Sequence, residues 1–167
     1  QLGDYPAEQL GPDRLVNLCA AHHLFREHNV LVADFGTATT FNVINTDGIF
    51  QGGIIAPGLE TFANSLAHQT ARLPKVPKAH WNEPNNVLGC TTDDCLQSGI
   101  STGYVGMITA LFERIITQHS DLNLMTIATG GLAESFQTLA GKSVHFDHTD
   151  PELTIKGLGV IHRHQSA

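Results

Sequence analysis

VLVADFGTATTF, the segment Val30–Phe41, is the stretch of this sequence that decides the fold. Its apolar first part predicts a buried strand that ends on the acid Asp34. A tight turn at Gly36 and Thr37 follows, and a second strand of β-branched and aromatic residues comes after it. Glycine lets a backbone approach a phosphate closely, and amide N–H groups and a threonine hydroxyl can donate to that phosphate. The order strand, acid, turn, strand is therefore typical of proteins that hold the phosphates of a nucleotide.

The rest of the chain predicts one α/β domain over residues 1–167, with a mixed sheet flanked by helices. Strands are expected near 30–34, 38–45, 48–55, 124–129 and 144–146. Helices are expected from 12, from 58, over 93–118, after 131 and over 153–161, with an extended proline-containing loop over 72–88. Asp47-Gly48 predicts a hairpin turn between the second and third strands.

Two helical faces lead to specific expectations. In the first helix, one largely apolar face should turn inward. Its residues are Leu15, Leu18, Cys19, His22 and Phe25. In the long helix, Gly99, Gly103 and Gly106 lower helix propensity by about 1 kcal/mol each relative to alanine. We therefore expect another helix, a ligand or the chain's own sheet to come close to those glycines.

Composition narrows the function classes. The 167 residues are 41% hydrophobic and 15% charged, with a formal net charge of -7. This acidic balance argues against a general binder of nucleic acids or anionic membranes. No apolar run approaches the ~20 residues of a membrane-spanning helix, and no signal-peptide pattern is present. We expect neither a nucleic acid nor a membrane as a partner.

The three cysteines are Cys19, Cys90 and Cys95. Their odd number and the absence of CxxC spacing favour reduced thiols in the cytoplasm over a disulfide framework. A metal site built on these thiols with a histidine has no supporting ligand spacing. We therefore expect a cytoplasmic protein whose cysteines serve no metal.

Several motifs, weak one by one, become specific through their order and spacing. They are GPDR at 11–14, DFGTATTF at 34–41, GGIIAPG at 52–58, TARLP at 70–74, GCTT at 89–92 with QSG at 97–99, TGG at 129–131 and LTIKGL at 153–158. In these motifs the chain resembles the type III pantothenate kinases, also called the Bvg accessory factor family. The resemblance implies the fold of the actin-like ATPase (ribonuclease H-like) superfamily, and specifically its C-terminal lobe.

The chain departs from the family pattern in two places. Members of the family begin with an N-terminal half of roughly ninety residues whose Asp-x-Gly-Asn loop contacts ATP, and this half is absent here. Because the chain begins at Gln1 without Met, we expect a fragment or a processed form, inactive as a kinase by itself. The second departure is Asn42, which stands where the family usually has Asp.

The resemblance implies the following substrate site. Asp13 corresponds to the general base that takes the proton of the pantothenate alcohol; its alternative role is that of a first-turn acid favoured by the helix dipole. Arg14 offers a planar fork for the pantothenate carboxylate. Gly11 and Pro12 let the backbone approach the same substrate. Tyr5 is close to the family's substrate-contacting tyrosine, although its spacing to Gly11 is one residue short.

The resemblance also implies an ATP site. Asp34 corresponds to the ligand of a monovalent cation, potassium or ammonium, and its alternative role is to cap the turn that follows. Gly36 and Thr37 correspond to the phosphate contacts, with magnesium bound alongside ATP. Gly130 and Gly131 correspond to the wall beside the adenosine, although a helix-entry turn also uses glycines.

Thr92 corresponds to a residue that reaches pantothenate from the neighbouring subunit, which implies a homodimer. Its alternative role is that of the N-cap of the long helix, with Asp93 and Asp94 behind it. If the family pattern holds, the glycines of the long helix lie in the dimer interface.

Three hypotheses of function remain. The first is the C-terminal part of a pantothenate kinase, the second a regulatory or binding protein of the same fold without kinase activity. The third is an actin-like kinase for another small acid or alcohol. The motifs at 11–14 and 70–74 favour the first over the third, whereas the absent N-terminal half keeps the second open.

Overall fold

Five strands form one mixed sheet in the computed structural model, which describes residues 3, 5–70 and 72–165. In sequence they are β1 Val30–Phe35, β2 Ala38–Ile44, β3 Phe50–Pro57, β4 Met125–Thr129 and β5 His148–Thr149. Their order across the sheet is β3-β2-β1-β4-β5. The first three strands are antiparallel neighbours, and β4 runs parallel to β1 and to β5. This arrangement confirms the predicted mixed sheet.

The α-helices cover both faces of this sheet. They are α1 Pro12–Leu24, α2 Leu59–Gln69, α3 Thr92–Gln118, α4 Ala133–Ala140 and α5 Leu153–Gln165, with short 3₁₀ turns at Ala7–Gln9, Lys78–His80 and Ser120–Leu122. Alternate residues of β1 point to opposite faces. Val30 and Val32 join the core under α1 and α5, whereas Leu31 and Phe35 join the core under α2, α3 and α4.

The helix start and the hairpin turn predicted in the first half of the chain are confirmed. Gly11 is the N-cap of α1 and Pro12 is its first residue, as the Gly-Pro-Asp motif predicted. The turn between β2 and β3 places Gly48 at a φ of 73°, a conformation that glycine adopts without strain. The amide of Gly48 donates to the carbonyl of Asn45 at 3.0 Å.

The strand expected at 144–146 is wrong. Val144 and Phe146 are buried and alternate with an exposed residue, which is the pattern of a strand. The sheet ladder instead forms at His148–Thr149, next to Ile127 and Ala128. Just before it, the Asp147 carboxylate accepts the amide of Thr126 at 2.8 Å, so a side chain takes the position of a strand carbonyl.

The inward face expected for α1 is wrong in part: Leu18 is buried and Phe25 packs against the core, but Leu15 is not buried. Leu15 is 39% exposed, and the residues that face the sheet include Arg14 and Asn17. Hydrophobic periodicity misjudged this face because two polar side chains point into the molecule to meet polar groups of the sheet. On another side of α1, Gly157 of α5 approaches the carbonyl of Val16 so closely that a Cβ would collide with it.

Two of the three glycines of α3 face open space. Gly99, Gly103 and Gly106 are exposed, and a Cβ on Gly99 or Gly106 would meet nothing, whereas a Cβ on Gly103 would lie 3.6 Å from the Phe62 ring of α2. The interpretation that they pack against the chain's own sheet is therefore wrong. The buried face of α3 instead receives the expected extended loop: Ser101 donates to the carbonyl of Asn82 at 2.8 Å.

Candidate functional site

The first turn of α1 carries an acidic and a cationic side chain that lie in different surroundings. Asp13 is exposed, whereas the next residue, Arg14, is only 6% exposed. A Cβ on Gly11 would lie 2.6 Å from the Asp13 carboxylate, so a side chain at position 11 would displace that carboxylate. The motif therefore combines an accessible carboxylate with an inward-pointing guanidinium.

Arg14 is held by neutral partners. Its Nε donates to the Asn42 side-chain oxygen at 2.7 Å, and one terminal nitrogen donates to the Tyr5 hydroxyl at 3.4 Å. The rings of Tyr5 and Phe50 lie 5.8 and 5.6 Å from its guanidinium carbon. In the described part of the chain, no carboxylate forms an ion pair with Arg14. A buried cation without an anionic partner is costly, so this arrangement favours an anionic ligand.

Asn42 positions Arg14, a role that the sequence reasoning missed. It is 1% exposed, and its amide also donates to the Thr40 hydroxyl at 3.0 Å, which fixes its orientation. Gly53 lies opposite Asn42 in the β2–β3 register. A Cβ on Gly53 would come within 2.8 Å of an Arg14 terminal nitrogen, so glycine makes room for the guanidinium. Pairing across the hairpin was the signal that could have found both residues.

Asp34, the penultimate residue of β1, lies on the same face of the sheet as Arg14. Its carboxylate accepts the side-chain amide of Asn17 at 2.8 Å, and the oxygen of that amide accepts the Thr154 hydroxyl at 2.7 Å. Burial raises the pKa of Asp34; the Asn17 hydrogen bond lowers it in part, and the charge of Asp13 raises it further. The two predicted carboxylates are thus close enough to repel each other. Asn17 and Thr154 were not predicted.

The end of β4 adds a second oxygen beside Asp34. Thr129 lies next to Asp34 in the parallel register, and its buried hydroxyl has no hydrogen-bond partner among the described residues. Gly130 follows with a φ of 92°, and a Cβ there would collide with the Asp34 carboxylate. A carboxylate and an unpartnered hydroxyl oxygen suit a hard cation, so these residues fit the predicted cation site.

The Gly-Thr turn borders a cavity of about 300 Å³. Its lining consists of Phe35, Gly36, Thr37, Glu60, Thr61, Gly131 and Leu132. The carbonyl of Thr37 accepts the amide of Gly58 at 3.0 Å and the Thr61 hydroxyl at 2.7 Å, which ties the turn to the start of α2. The structure thus brings Gly36, Thr37 and Gly131 together, and it places Gly130 beside Asp34 instead.

Thr92 lies apart from the other predicted site residues. It is exposed in the first turn of α3, and α3 covers the face of the sheet opposite α1. None of the described hydrogen bonds joins it to Asp13 or Arg14. Its alternative role as N-cap is wrong by one residue, because Thr91 accepts the amide of Asp94 at 3.2 Å.

Three further observations concern membrane-spanning helices, the thiols and groups of metal-ligating residues. None of the helices in the described ranges is long and apolar enough to cross a membrane. Cys19 is half-buried, Cys90 and Cys95 are exposed, and all three are free thiols. No group of three or more histidine, cysteine or acidic residues among those described could hold a metal ion.

Comparison with known sequences shows a consistent match. A family model described as type III pantothenate kinase matches residues 4–114. The type III pantothenate kinase of Ruegeria pomeroyi is 44% identical over 93% of this chain and 57% of its own length. Those of Acidiphilium cryptum and Zymomonas mobilis are 42% and 40% identical, each over 95% of the chain and 56% of their own length. The chain thus spans little more than half the length of these relatives.

Solved structures share the fold. A Baf family protein from Campylobacter jejuni matches 99% of this chain and 70% of its own with a TM-score of 0.55 at 21% identity. An archaeal actin homolog matches 94% of this chain and 56% of its own with a TM-score of 0.52 at 14% identity. These likenesses confirm the predicted actin-like ATPase fold. With the family model and relatives above 40% identity in agreement, the chain belongs to the type III pantothenate kinase family.

Proposed function

We propose that the complete protein transfers the γ-phosphoryl group of ATP to the primary alcohol of pantothenate. The product is 4'-phosphopantothenate, the first intermediate of coenzyme A biosynthesis. Membership of the family supports this reaction, and so does one observation in particular: the buried, unpaired guanidinium of Arg14 one residue after the accessible carboxylate of Asp13. Pantothenate carries a carboxylate at one end and the reacting alcohol at the other.

In this proposal, Arg14 anchors the substrate and Asp13 activates it. The Arg14 fork takes the carboxylate, since planar bidentate pairing suits a guanidinium. Neighbouring side chains of a helix diverge by about 100°, so an extended substrate can reach both. Asp13 accepts the proton of the alcohol as its oxygen attacks phosphorus. Gly11 and Pro12 leave the substrate room, and Tyr5 lines the far side of Arg14.

The Gly-Thr turn and its cavity serve ATP. Gly36 and Thr37 contact the phosphates, and Gly131 borders the adenosine, where a Cβ-free wall leaves space. Asp34 and Thr129 would hold potassium or ammonium, and magnesium would accompany ATP. When bound, these cations supply positive charge that offsets the charge on the phosphates.

A homodimer completes the substrate site. The position of Thr92 on the opposite face of the sheet from α1 supports an approach to pantothenate from another chain. The outward glycines of α3 would let two such helices approach closely. We place the protein in the cytoplasm, in keeping with its three free thiols.

The test is the phosphorylation of pantothenate by the complete protein. We expect ATP-dependent product, and we expect Asp13→Asn to lower turnover by at least about a hundredfold, as for loss of a general base. Pantothenate should still bind, because Arg14 remains. Glu134→Gln is the matched control, since Glu134 is an exposed first-turn acid of α4. Equal activity of both variants would reduce Asp13 to a helix-dipole residue, and no product from the parent protein would overturn the proposed reaction.

A further inference from the structure

Two cysteines flank the N-terminus of α3 at positions that normally pack together. The helix begins with a capping box in which Thr91 is the N-cap and the Asp94 carboxylate accepts the amide of Thr91 at 3.2 Å. Counted from that cap, Cys90 precedes the helix and Cys95 is its fourth residue. In capping boxes the side chains at these two positions commonly touch, as the hydrophobic staple. Here both staple residues are thiols.

The contacts around Gly89 show that the two thiol-bearing segments are close. The thiol of Cys95 donates to the carbonyl oxygen of Gly89 at 3.5 Å. A Cβ on Gly89 would collide with the amide nitrogen of Cys95. Because that carbonyl is bonded to Cys90, the Cys90 Cα lies about 2.8 Å from its oxygen. The Cys95 sulfur is therefore within about 6.3 Å of the Cys90 Cα, so the two thiol-bearing residues are near neighbours at the start of α3.

Both thiols are open to small molecules. Cys90 and Cys95 are exposed and free. Cys90 lines an open cleft of about 310 Å³ together with polar residues that include Asn82, Glu83 and Gln97. The Cys95 thiol turns back over the helix end toward Gly89, away from the outward glycines further along α3. A disulfide reagent can thus reach Cys90, with Cys95 placed behind it.

We propose that Cys90 and Cys95 form a reversible intramolecular disulfide by exchange with a low-molecular-weight disulfide such as glutathione disulfide. The Cys90 thiolate attacks one sulfur of the reagent, breaks its S–S bond and releases one thiol. The Cys95 thiolate then attacks the Cys90 sulfur of the mixed disulfide and releases the second thiol. The two protein thiols lose two electrons and two protons, and the reagent gains them as two thiols. Disulfides of this kind in reducing compartments are usually transient and regulatory.

The disulfide would close a ring that contains Thr92. This part rests on the proposed function, in which Thr92 contacts the pantothenate held by a second subunit. A ring closed across the first turn of α3 restricts how Thr92 reaches that substrate. We therefore expect oxidation to raise KM for pantothenate roughly fivefold, the lower end of typical coupling between two sites, while kcat changes less.

The experiment equilibrates the complete protein in glutathione redox buffers, quenches it with acid and maps its thiols by mass. Trypsin leaves both cysteines in the peptide 79–114 and Cys19 in the peptide 15–26. Cleavage before Asp93 then separates Cys90 from Cys95 unless a disulfide joins them. We expect a linked pair with Cys19 still reduced. Cys95→Ser should accumulate glutathione on Cys90, and Thr91→Ala should weaken disulfide formation about fivefold, since it removes the cap that aligns the two positions.

Each outcome decides a separate point. Separate, unlinked peptides under oxidising buffer would overturn the disulfide, and so would a link between two chains on a non-reducing gel. Circular dichroism checks that Thr91→Ala is folded. An unchanged thiol–disulfide equilibrium in the folded variant would contradict the staple geometry. A disulfide that leaves KM unchanged would overturn the regulatory part. If the reduced parent protein had no kinase activity, that result would count against the proposed function. The mass measurement would still decide whether the disulfide forms.

Discussion

The same strands supply side chains to both faces of the sheet, but the surroundings of these side chains differ between the two faces. On the side of α2, α3 and α4, aromatic rings pack on one another: Phe35 stacks on Phe136 with ring centroids 4.6 Å apart, and the Tyr104 and Thr39 hydroxyls share a hydrogen bond. On the side of α1 and α5, Arg14 and Asp34 are held by neutral side chains only. The interior of the first face is built of packed rings, whereas the second face leaves a positive and a negative charge for ligands to meet.

The largest effect is expected among the packed rings on the side of α2, α3 and α4. Phe136→Ala removes a fully buried ring that contacts both Phe35 and Tyr104, so the free energy of unfolding should fall by about 3–5 kcal/mol. Denaturant unfolding of the complete protein measures it. Leu158→Ala is the control, because Leu158 is 55% exposed on α5. A similar loss of unfolding free energy in both variants would mean that the packing on the side of α2, α3 and α4 does not dominate the stability.

A smaller and opposite effect is expected from a charge placed on the other face. Asn42→Asp gives Arg14 an anionic partner, so the free energy of unfolding should rise by about 1 kcal/mol. Pantothenate then competes with that carboxylate, and its affinity should fall about fivefold. Calorimetry of binding and denaturant unfolding measure the two changes.

Asn45→Asp is the matched control for Asn42→Asp, since it adds the same charge in the β2–β3 turn, where its oxygen can still accept the amides of Asp47 and Ile49. Unchanged affinity in Asn42→Asp, or an equal loss in Asn45→Asp, would contradict the view that the unpaired charge of Arg14 binds the substrate.

The smallest effect concerns the pH dependence of stability. Burial raises the pKa of Asp34, so its ionisation costs stability as pH rises from the unfolded value through the folded one. Asn at position 34 should remove this cost, and in cation-free buffer Asp34→Asn should be more stable than the parent at pH 7. Adding potassium should stabilise the parent but not the variant, as unfolding curves at several pH values will show.

Asp147 provides the comparison for Asp34. Desolvation raises its pKa, but the hydrogen bonds from the Thr126 amide and hydroxyl, together with the charges of His145 and His148, outweigh that effect and leave the pKa lowered. Asp147 therefore contributes stability above the unfolded pKa, and this stability is lost as pH falls through the folded pKa. Asp147→Asn should destabilise the protein at pH 7, opposite to Asp34→Asn. The same sign for both variants would refute the assigned pKa directions.

What could be predicted from the sequence was local. The strand, turn and strand at 30–44 and the start of α1 follow from periodicity and from glycine and proline chemistry within a few residues. The partners of the site could not be predicted in this way, because they depend on register. Asn42 meets Arg14 across 28 residues, and Thr129 lies beside Asp34 only because β4 pairs with β1.

The wrong predictions share that origin. Val144 and Phe146 alternate like a strand, but a side chain of Asp147 interrupts the ladder before β5. Leu15 was expected inside because hydrophobic periodicity assigns leucine, and not arginine, to a buried helix face. Arg14 is buried nevertheless, because it hydrogen-bonds Asn42 of β2, a partner that the pattern of the helix alone does not reveal. Hydrophobic patterns fail where polar residues turn inward, and in this chain those residues belong to the candidate site.

The most direct test of the substrate role of Arg14 compares two ligands in the complete protein. Arg14→Met removes the guanidinium but keeps an unbranched side chain, and it is assayed with pantothenate and with pantothenol, in which a neutral alcohol replaces the carboxylate. We expect KM for pantothenate to rise about tenfold to a hundredfold, as for lost hydrogen bonds to a charged group, while KM for pantothenol stays within about twofold. Phosphorylation of pantothenol also shows that the variant is folded. Equal losses with both ligands, or none with pantothenate, would contradict the role of Arg14 as the carboxylate anchor.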